Sequence, residues 1–154
     1  MSISIVRGGV PLFTRDVSLG GNQYRDALQR ELNLSFIEAE RLVTGESLPE
    51  VAFDRELGIM RSVTDVLLTE IHKTFDFFRA TATNENIERI YVSGGAARIH
   101  LLLDYLRESF AIPVEELNPF RKIDVNPVSD REEELRKLAP RLAIAVGLAL
   151  RSKT

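Results

Sequence analysis

Cysteine is missing from all 154 residues. Its absence removes disulfides, thiolate nucleophiles and cysteine metal sites, and it fits a reducing cytoplasm. Histidine is scarce. His72 and His100 are the only two, they fall in different helical patterns, and no grouping of acids around them resembles a metal shell, so each reads as a helix-surface residue. Excess charge is small as well: 28% of residues are charged but the formal net charge is −3, which leaves no strong basic field for nucleic acid. Long apolar runs are absent, since the longest, Leu142 to Leu150, is far short of the roughly 20 residues that span a bilayer. The start, Met1 to Arg7, alternates in polarity and lacks the charged head, apolar core and cleavage site of a signal peptide. These absences predict a soluble cytoplasmic chain with no nucleic-acid partner and no direct membrane insertion. What is present, 44% hydrophobic residues over this length, is enough for one ordinary domain with its own core.

The chain opens with Ile3, Ile5 and Val6 among Ser2, Ser4 and Arg7, a strand-like alternation that runs into Gly8-Gly9, a hairpin turn signal. Val10 to Leu19 follows as the return strand, with Pro11 near its start, where proline is tolerated. Gly20-Gly21-Asn22 closes it, Asn22 being the expected N-cap of a helix over Gln23 to Leu32 whose Tyr24, Ala27, Leu28 and Leu32 share a face. Ser35 with Glu38 forms a capping box for a short helix to about Val43, and Gly45 ends it. After a loop over 46–53, a long helix runs from Asp54 to about Ala82, its stripe of Met60, Val63, Leu67, Ile71, Phe75 and Phe78 forming core. A polar linker over 83–86 comes next.

Ile90-Tyr91-Val92 is a short apolar run that reads as an interior strand of a parallel or mixed sheet. Gly94-Gly95 then permits a sharp turn with no Cβ to hold a ligand away, and a helix expected from about Ala96 to Phe110 would aim free N–H groups at the same place. The pair marks either a ligand cradle or a plain strand-to-helix turn, and a glycine pair alone does not decide between them. Pro113 keeps Ile112 extended, so Val114 to Leu117 is the next strand. The acidic run over 129–134 reads as a solvated loop or helix start. The last helix begins near Pro140, and its small residues Ala143, Ala145, Gly147 and Ala149 predict close packing against a sheet. Alternation of strands and helices in the second half predicts parallel strands with crossover helices.

Several of these segments together carry a resemblance. Residues 2–16, then Leu19-Gly20-Gly21-Asn22-Gln23, Ala39-Glu40 and Val92-Ser93-Gly94-Gly95-Ala96-Ala97 look like the C-terminal half of PilM-family type IV pilus assembly proteins, within the actin-like ATPase superfamily that also holds the division protein FtsA. The resemblance implies a partial actin-like (ribonuclease H-like) α/β domain over 1–154, built of an N-terminal β-hairpin and a mixed sheet flanked by helices, with a helical subdomain at about 35–53. The family's first central strand, which ends in a phosphate-binding loop, is absent. Three outcomes are open for the gap: the hairpin pairs directly with the Ile90 strand, a second copy or partner supplies a strand, or that region is partly disordered.

The same resemblance implies a half-site for ATP with Mg, held weakly or not at all by the isolated chain. Gly94 and Gly95, with Ala96 and Arg98, would form the adenosine-type turn. Gly20, Gly21 and Asn22 would lie across the nucleotide, with Glu40 as the acid that contacts ribose. Two positions depart from the family pattern: Val43 stands where a lysine is frequent, and Arg25 where a threonine is frequent. No catalytic or metal residue is implied, so no ATP hydrolysis is expected of this chain alone, because phosphoryl transfer needs metal and phosphate loops together. The implied role is a cytoplasmic scaffold of type IV pilus biogenesis, peripheral to the inner membrane through platform proteins such as PilN, with self-association by strand completion. The alternatives are an FtsA-like division scaffold and a nucleotide-free interaction module.

Overall fold

The computed structural model describes residues 1–82, 86–123 and 132–151. The expected linker at 83–86 lies, apart from Asn86, outside these residues, and so does the acidic run as far as Arg131. Strand β1 (Ser2–Arg7) and strand β2 (Val10–Asp16) form the hairpin. Gly8 and Gly9 have φ of 57° and 83°, the double left-handed conformation that a two-residue hairpin turn requires. The register slips between Ile5 and Val6, where Val6 faces Pro11, a residue with no N–H to give to the ladder. β2 stops at Asp16, three residues short of the expected Leu19.

Helix α1 (Gly21–Leu32) starts two residues before its expected beginning. Its N-cap is Gly20 and not Asn22, because Gln23 folds back to accept the Gly20 N–H at 2.7 Å while Asn22 Oδ1 accepts from Arg25 Nη2 at 2.9 Å. Helix α2 (Phe36–Val43) has the expected Ser35–Glu38 capping box. It closes through Gly45 at φ 88°, with Glu46 N–H to Arg41 O and Gly45 N–H to Leu42 O both at 2.9 Å, the paired bonds of a Schellman ending.

Helix α3 (Phe53–Thr81) is the frame on which the rest is mounted. Met60, Leu67, Ile71, Phe75 and Phe78 are buried along one stripe, as the helical spacing predicted. Thr64 and Thr74 are buried between them and donate back to Met60 O at 2.9 Å and Glu70 O at 2.7 Å, so their hydroxyls stay satisfied. Tyr24, Leu28 and Leu42 from α1 and α2 complete the core with Ile99, Leu102, Leu106 and Val114. The hairpin is tied to α3 by Arg15, which donates to Thr74 Oγ1 at 3.0 Å and to Glu70 at 2.6 Å, and by Phe13 against Phe77.

Strand β3 (Ile90–Val92) pairs in parallel with β4 (Val114–Glu116), with Ile90 opposite Val114. The parallel crossover is therefore as expected, but the single mixed sheet is not. Among the described residues there are two separate two-stranded sheets, so β3 has one partner, is no interior strand, and leaves Tyr91 48% exposed. The hairpin does not pair with β3. Where a helix was expected from Ala96, residues Gly94–Arg98 make a 3-10 turn, and helix α4 (Leu102–Ser109) starts only after Leu101, whose φ is 60°. The break has a cause: the His100 N–H bonds to Val43 O at 2.8 Å and is lost to any helix ladder. His100 consequently sits in a turn and not on a helix surface.

Helix α5 (Glu132–Leu138) leads into a 3-10 turn at Ala139–Leu142, with Pro140 in its first positions, and then helix α6 (Ala143–Ala149). Ile144 and Leu148 on α6 are 79% and 62% exposed. The expected close packing of this small-residue helix against a sheet is therefore not observed, and Ala145, Gly147 and Ala149 are exposed as well. Among the described residues no helix is long and apolar enough to cross a membrane.

Candidate functional site

Two Gly-Gly junctions border the same cleft. After β3 the chain leaves Val92 through Ser93 into Gly94, which adopts φ 79°, and Gly95, where an added Cβ would meet nothing within 4 Å. Gly94 thus needs the left-handed conformation for the turn, while Gly95 presents bare backbone to open space. Ile99, buried at the end of this turn, approaches the second junction: a Cβ on Gly21 would lie 4.0 Å from Ile99 Cδ1. The third wall is α2, held to the first through the Val43–His100 bond.

The cleft between these walls has a volume of about 490 Å³, within the range of small-molecule sites. Gly20, Gly21, Asn22, Glu40, Gly95, Ala96 and Arg98 all line it. These are the residues singled out in the sequence, apart from Gly94, which shapes the turn without lining the cleft. What the structure does not supply is the helix end aimed at Gly94-Gly95, because α4 begins further on.

Arg25 is central to the wall chemistry. Its guanidinium lies 4.3 Å over the Phe36 ring, donates to Asn22, and reaches Glu40 Oε2 at 3.4 Å. Its Nε is enclosed with no hydrogen-bond partner. Glu40 is half-exposed and so presents a carboxylate, an acceptor suited to the paired hydroxyls of a ribose. Arg98 and Arg141 also line the cleft. Three guanidinium groups against one carboxylate make it locally cationic on a chain of net charge −3.

A model of the family described as type IV pilus assembly protein PilM matches residues 1–153. The chain belongs to this family. It also superposes on a solved chain of a PilM-PilN type IV pilus biogenesis complex with a TM-score of 0.82 and 29% identity, over 97% of the present chain and 42% of the solved one. The PilM-family sequence in hand therefore spans about two fifths of the length of that relative.

Of the residues that the sequence marked, all but Gly94 line this cleft, and Arg141 lines it without having been marked. Its only signal is an arginine directly after Pro140, at the entrance to an apolar helix. Adenosine fits the cleft in volume, in bare backbone at Gly95 and in the Glu40 carboxylate. Magnesium has no cage of its own, since no group of three or more His, Asp or Glu among the described residues could hold a metal. A larger groove of about 670 Å³ lies between α1 and α3, where apolar residues such as Ile59 and Val63 alternate with polar ones such as Asp26, Arg30 and Glu31. It gathers none of the predicted ligand residues, so the smaller cleft is the better candidate.

Proposed function

We propose that this component of type IV pilus assembly carries one wall of an adenine-nucleotide site and works as a cytoplasmic scaffold, not as a self-sufficient ATPase. The observation behind this reading is the gathering of both glycine junctions with Glu40 and Arg98 in one cleft. Adenine and ribose would rest on the bare backbone at Gly95 and Ala96, with Glu40 accepting from ribose hydroxyls and Asn22 at the rim. The Mg ion would arrive with the phosphates. Partners in this reading are PilN-like inner-membrane proteins, supported by the likeness to a PilM chain solved with PilN, and a second copy that adds a strand to the open edge of β1 or β3.

Isothermal titration of the chain with ATP and Mg tests the nucleotide reading, compared with Gly95→Asp. Gly95 is the suitable position because an added Cβ there meets nothing and no positive φ is imposed, so the variant folds while placing a carboxylate in the cleft. Gly94→Asp would confound binding with backbone strain. Wild type should bind at sub-millimolar to millimolar concentration and Gly95→Asp about tenfold or more weakly, about 1.4 kcal/mol. Equal affinities, or no heat from wild type at several millimolar, would exclude the site.

A further inference from the structure

We propose that Arg25 sets the sugar preference of the cleft. By holding one oxygen of Glu40, it leaves that carboxylate able to accept one ribose hydroxyl in place of a pair. The inference rests on the adenine-nucleotide reading above and adds to it how sharply ribose is told apart from 2′-deoxyribose.

Two helices build the guanidinium into place. On α1, Asn22 and Arg25 stand about one turn apart, and Nη2 donates to Asn22 Oδ1 at 2.9 Å. On α2, Phe36 and Glu40 share a face at the spacing of one turn. The Phe36 ring lies 4.3 Å from the guanidinium carbon, and Glu40 Oε2 accepts from Nη1 at 3.4 Å. The Arg25 side chain is 18% exposed and that of Glu40 51%. The cation is thus fixed from the protein side by Phe36 and Asn22, while the carboxylate meets it at the lip of the cleft. Glu40 is the one carboxylate lining the cleft among the described residues, and its Oε1 has no partner among them.

The 2′ and 3′ hydroxyls of ribose are two neutral donors side by side, and both oxygens of a carboxylate are needed to accept from the pair at full strength. Here Oε2 faces a charged donor, whose hydrogen bonds are about twice as strong as those of a neutral one. Oε2 therefore stays with Arg25, and Oε1 is left for the sugar. A single hydroxyl satisfies it, and 2′-deoxyribose keeps one. Removing the guanidinium frees Oε2 for the second hydroxyl, so ribose gains a bond that 2′-deoxyribose cannot make. At 3.4 Å the ion pair is long and half-exposed, so its loss takes little from the stability of the fold.

The test titrates ATP and 2′-deoxyATP, each with Mg, into wild type, Arg25→Met and the double variant Arg25→Met/Glu40→Gln. Methionine keeps an unbranched stem against Phe36 and removes every donor. The readout is the ratio of the two affinities within one protein, which a fraction of unfolded material leaves unchanged. Wild type should bind the two nucleotides alike. Arg25→Met should prefer ATP by about threefold to tenfold, the worth of one neutral hydrogen bond. Adding Glu40→Gln should bring the ratio back toward that of wild type, since an amide offers one acceptor oxygen. A ratio unmoved by Arg25→Met, an equal gain for both nucleotides, or weaker ATP binding would each overturn the inference and leave the nucleotide reading standing. A wild type that already prefers ATP to the same degree would also overturn it. No binding of either nucleotide by wild type or Arg25→Met would overturn both readings.

Discussion

Gly45 offers the sharpest structural prediction, because it sits where the α2 wall of the cleft meets the wall that carries Gly95 and Arg98. Replacing it by alanine meets two independent obstacles. The first is the backbone: at φ 88° an L side chain costs about 1–2 kcal/mol. The second is space, since the new Cβ would lie 2.8 Å from His100 Nδ1 and 3.2 Å from Cγ of the same ring. The ring cannot simply retreat with its backbone, because the His100 N–H is committed to Val43 O at 2.8 Å and Leu101 beyond it is already left-handed. Relieving an overpacked contact of this kind costs about 1–3 kcal/mol. Gly45→Ala should therefore destabilise by about 2–5 kcal/mol in urea unfolding analysed by linear extrapolation.

A double-variant cycle separates the two contributions. In a His100→Ala background the ring is gone while the His100 backbone bond can remain, so Gly45→Ala should then cost only the backbone part, about 1–2 kcal/mol. The difference between the two backgrounds measures the steric clash. If Gly45→Ala costs the same with and without the imidazole, the close approach of Gly45 to His100 is not what specifies glycine there. A cost below about 0.5 kcal/mol in wild type would refute both parts.

Two further predictions concern buried polar groups. Tyr24 OH and Thr64 Oγ1 lie 3.0 Å apart in the core while Thr64 also donates to Met60 O, so the two ends of the bond are unequal. Tyr24→Phe leaves the threonine hydroxyl satisfied and should cost about 0.5–1.5 kcal/mol, whereas Thr64→Val strands the phenol and should cost about 1–3 kcal/mol; the reverse order in chemical denaturation would contradict the bonding pattern. Glu56 is only 6% exposed; burial raises its pKa above the ordinary 4.5, with His100 opposing as the smaller effect. The folded state then binds more protons than the unfolded one between 4.5 and the raised value, so stability falls as pH rises through that window and the penalty persists above it. Glu56→Gln should accordingly melt a few degrees above wild type at pH 7, at about 2–4 °C per kcal/mol, and converge with it near pH 4; a Tm difference unaffected by pH would refute the assignment.

What could be read from the sequence was what neighbouring residues decide among themselves. The Gly8-Gly9 turn, the Ser35–Glu38 cap and the Gly45 ending rest on contacts between residues close in the chain, the α3 stripe shows as a helical period in the sequence, and each lies where it was expected. Misplaced features depend on distant partners. The helix expected from Ala96 fails because the His100 N–H is taken by Val43, far back in the chain, and no pattern around Ala96 carries that information. Asn22 loses its capping role to a competition in which Gln23 serves Gly20 and Arg25 claims the asparagine. Apolarity of Ile90 to Val92 was read as a sign of an interior strand, yet apolar residues report burial of a face and not pairing of both edges. Ile90 and Val92 do pack on the core while one edge stays without a partner among the described residues.

The same distinction bears on how the cleft works. Its walls belong to the short elements: the 3-10 turns at Gly94–Arg98 and Ala139–Leu142, the start of α1 and the end of α2. Few long-range polar bonds fix them, notably His100 to Val43, Ser93 to Pro140 and Arg25 to Glu40. The apolar core instead runs along α3 and meets the cleft walls at Val43 and Ile99. Changes at the cleft can therefore alter ligand contacts by the full strength of a charge-assisted bond while leaving α3 and its packed stripe intact. Gly95, where an added Cβ meets nothing, can thus be substituted to probe binding, whereas Gly45, which lies where cleft wall and fold meet, changes both together.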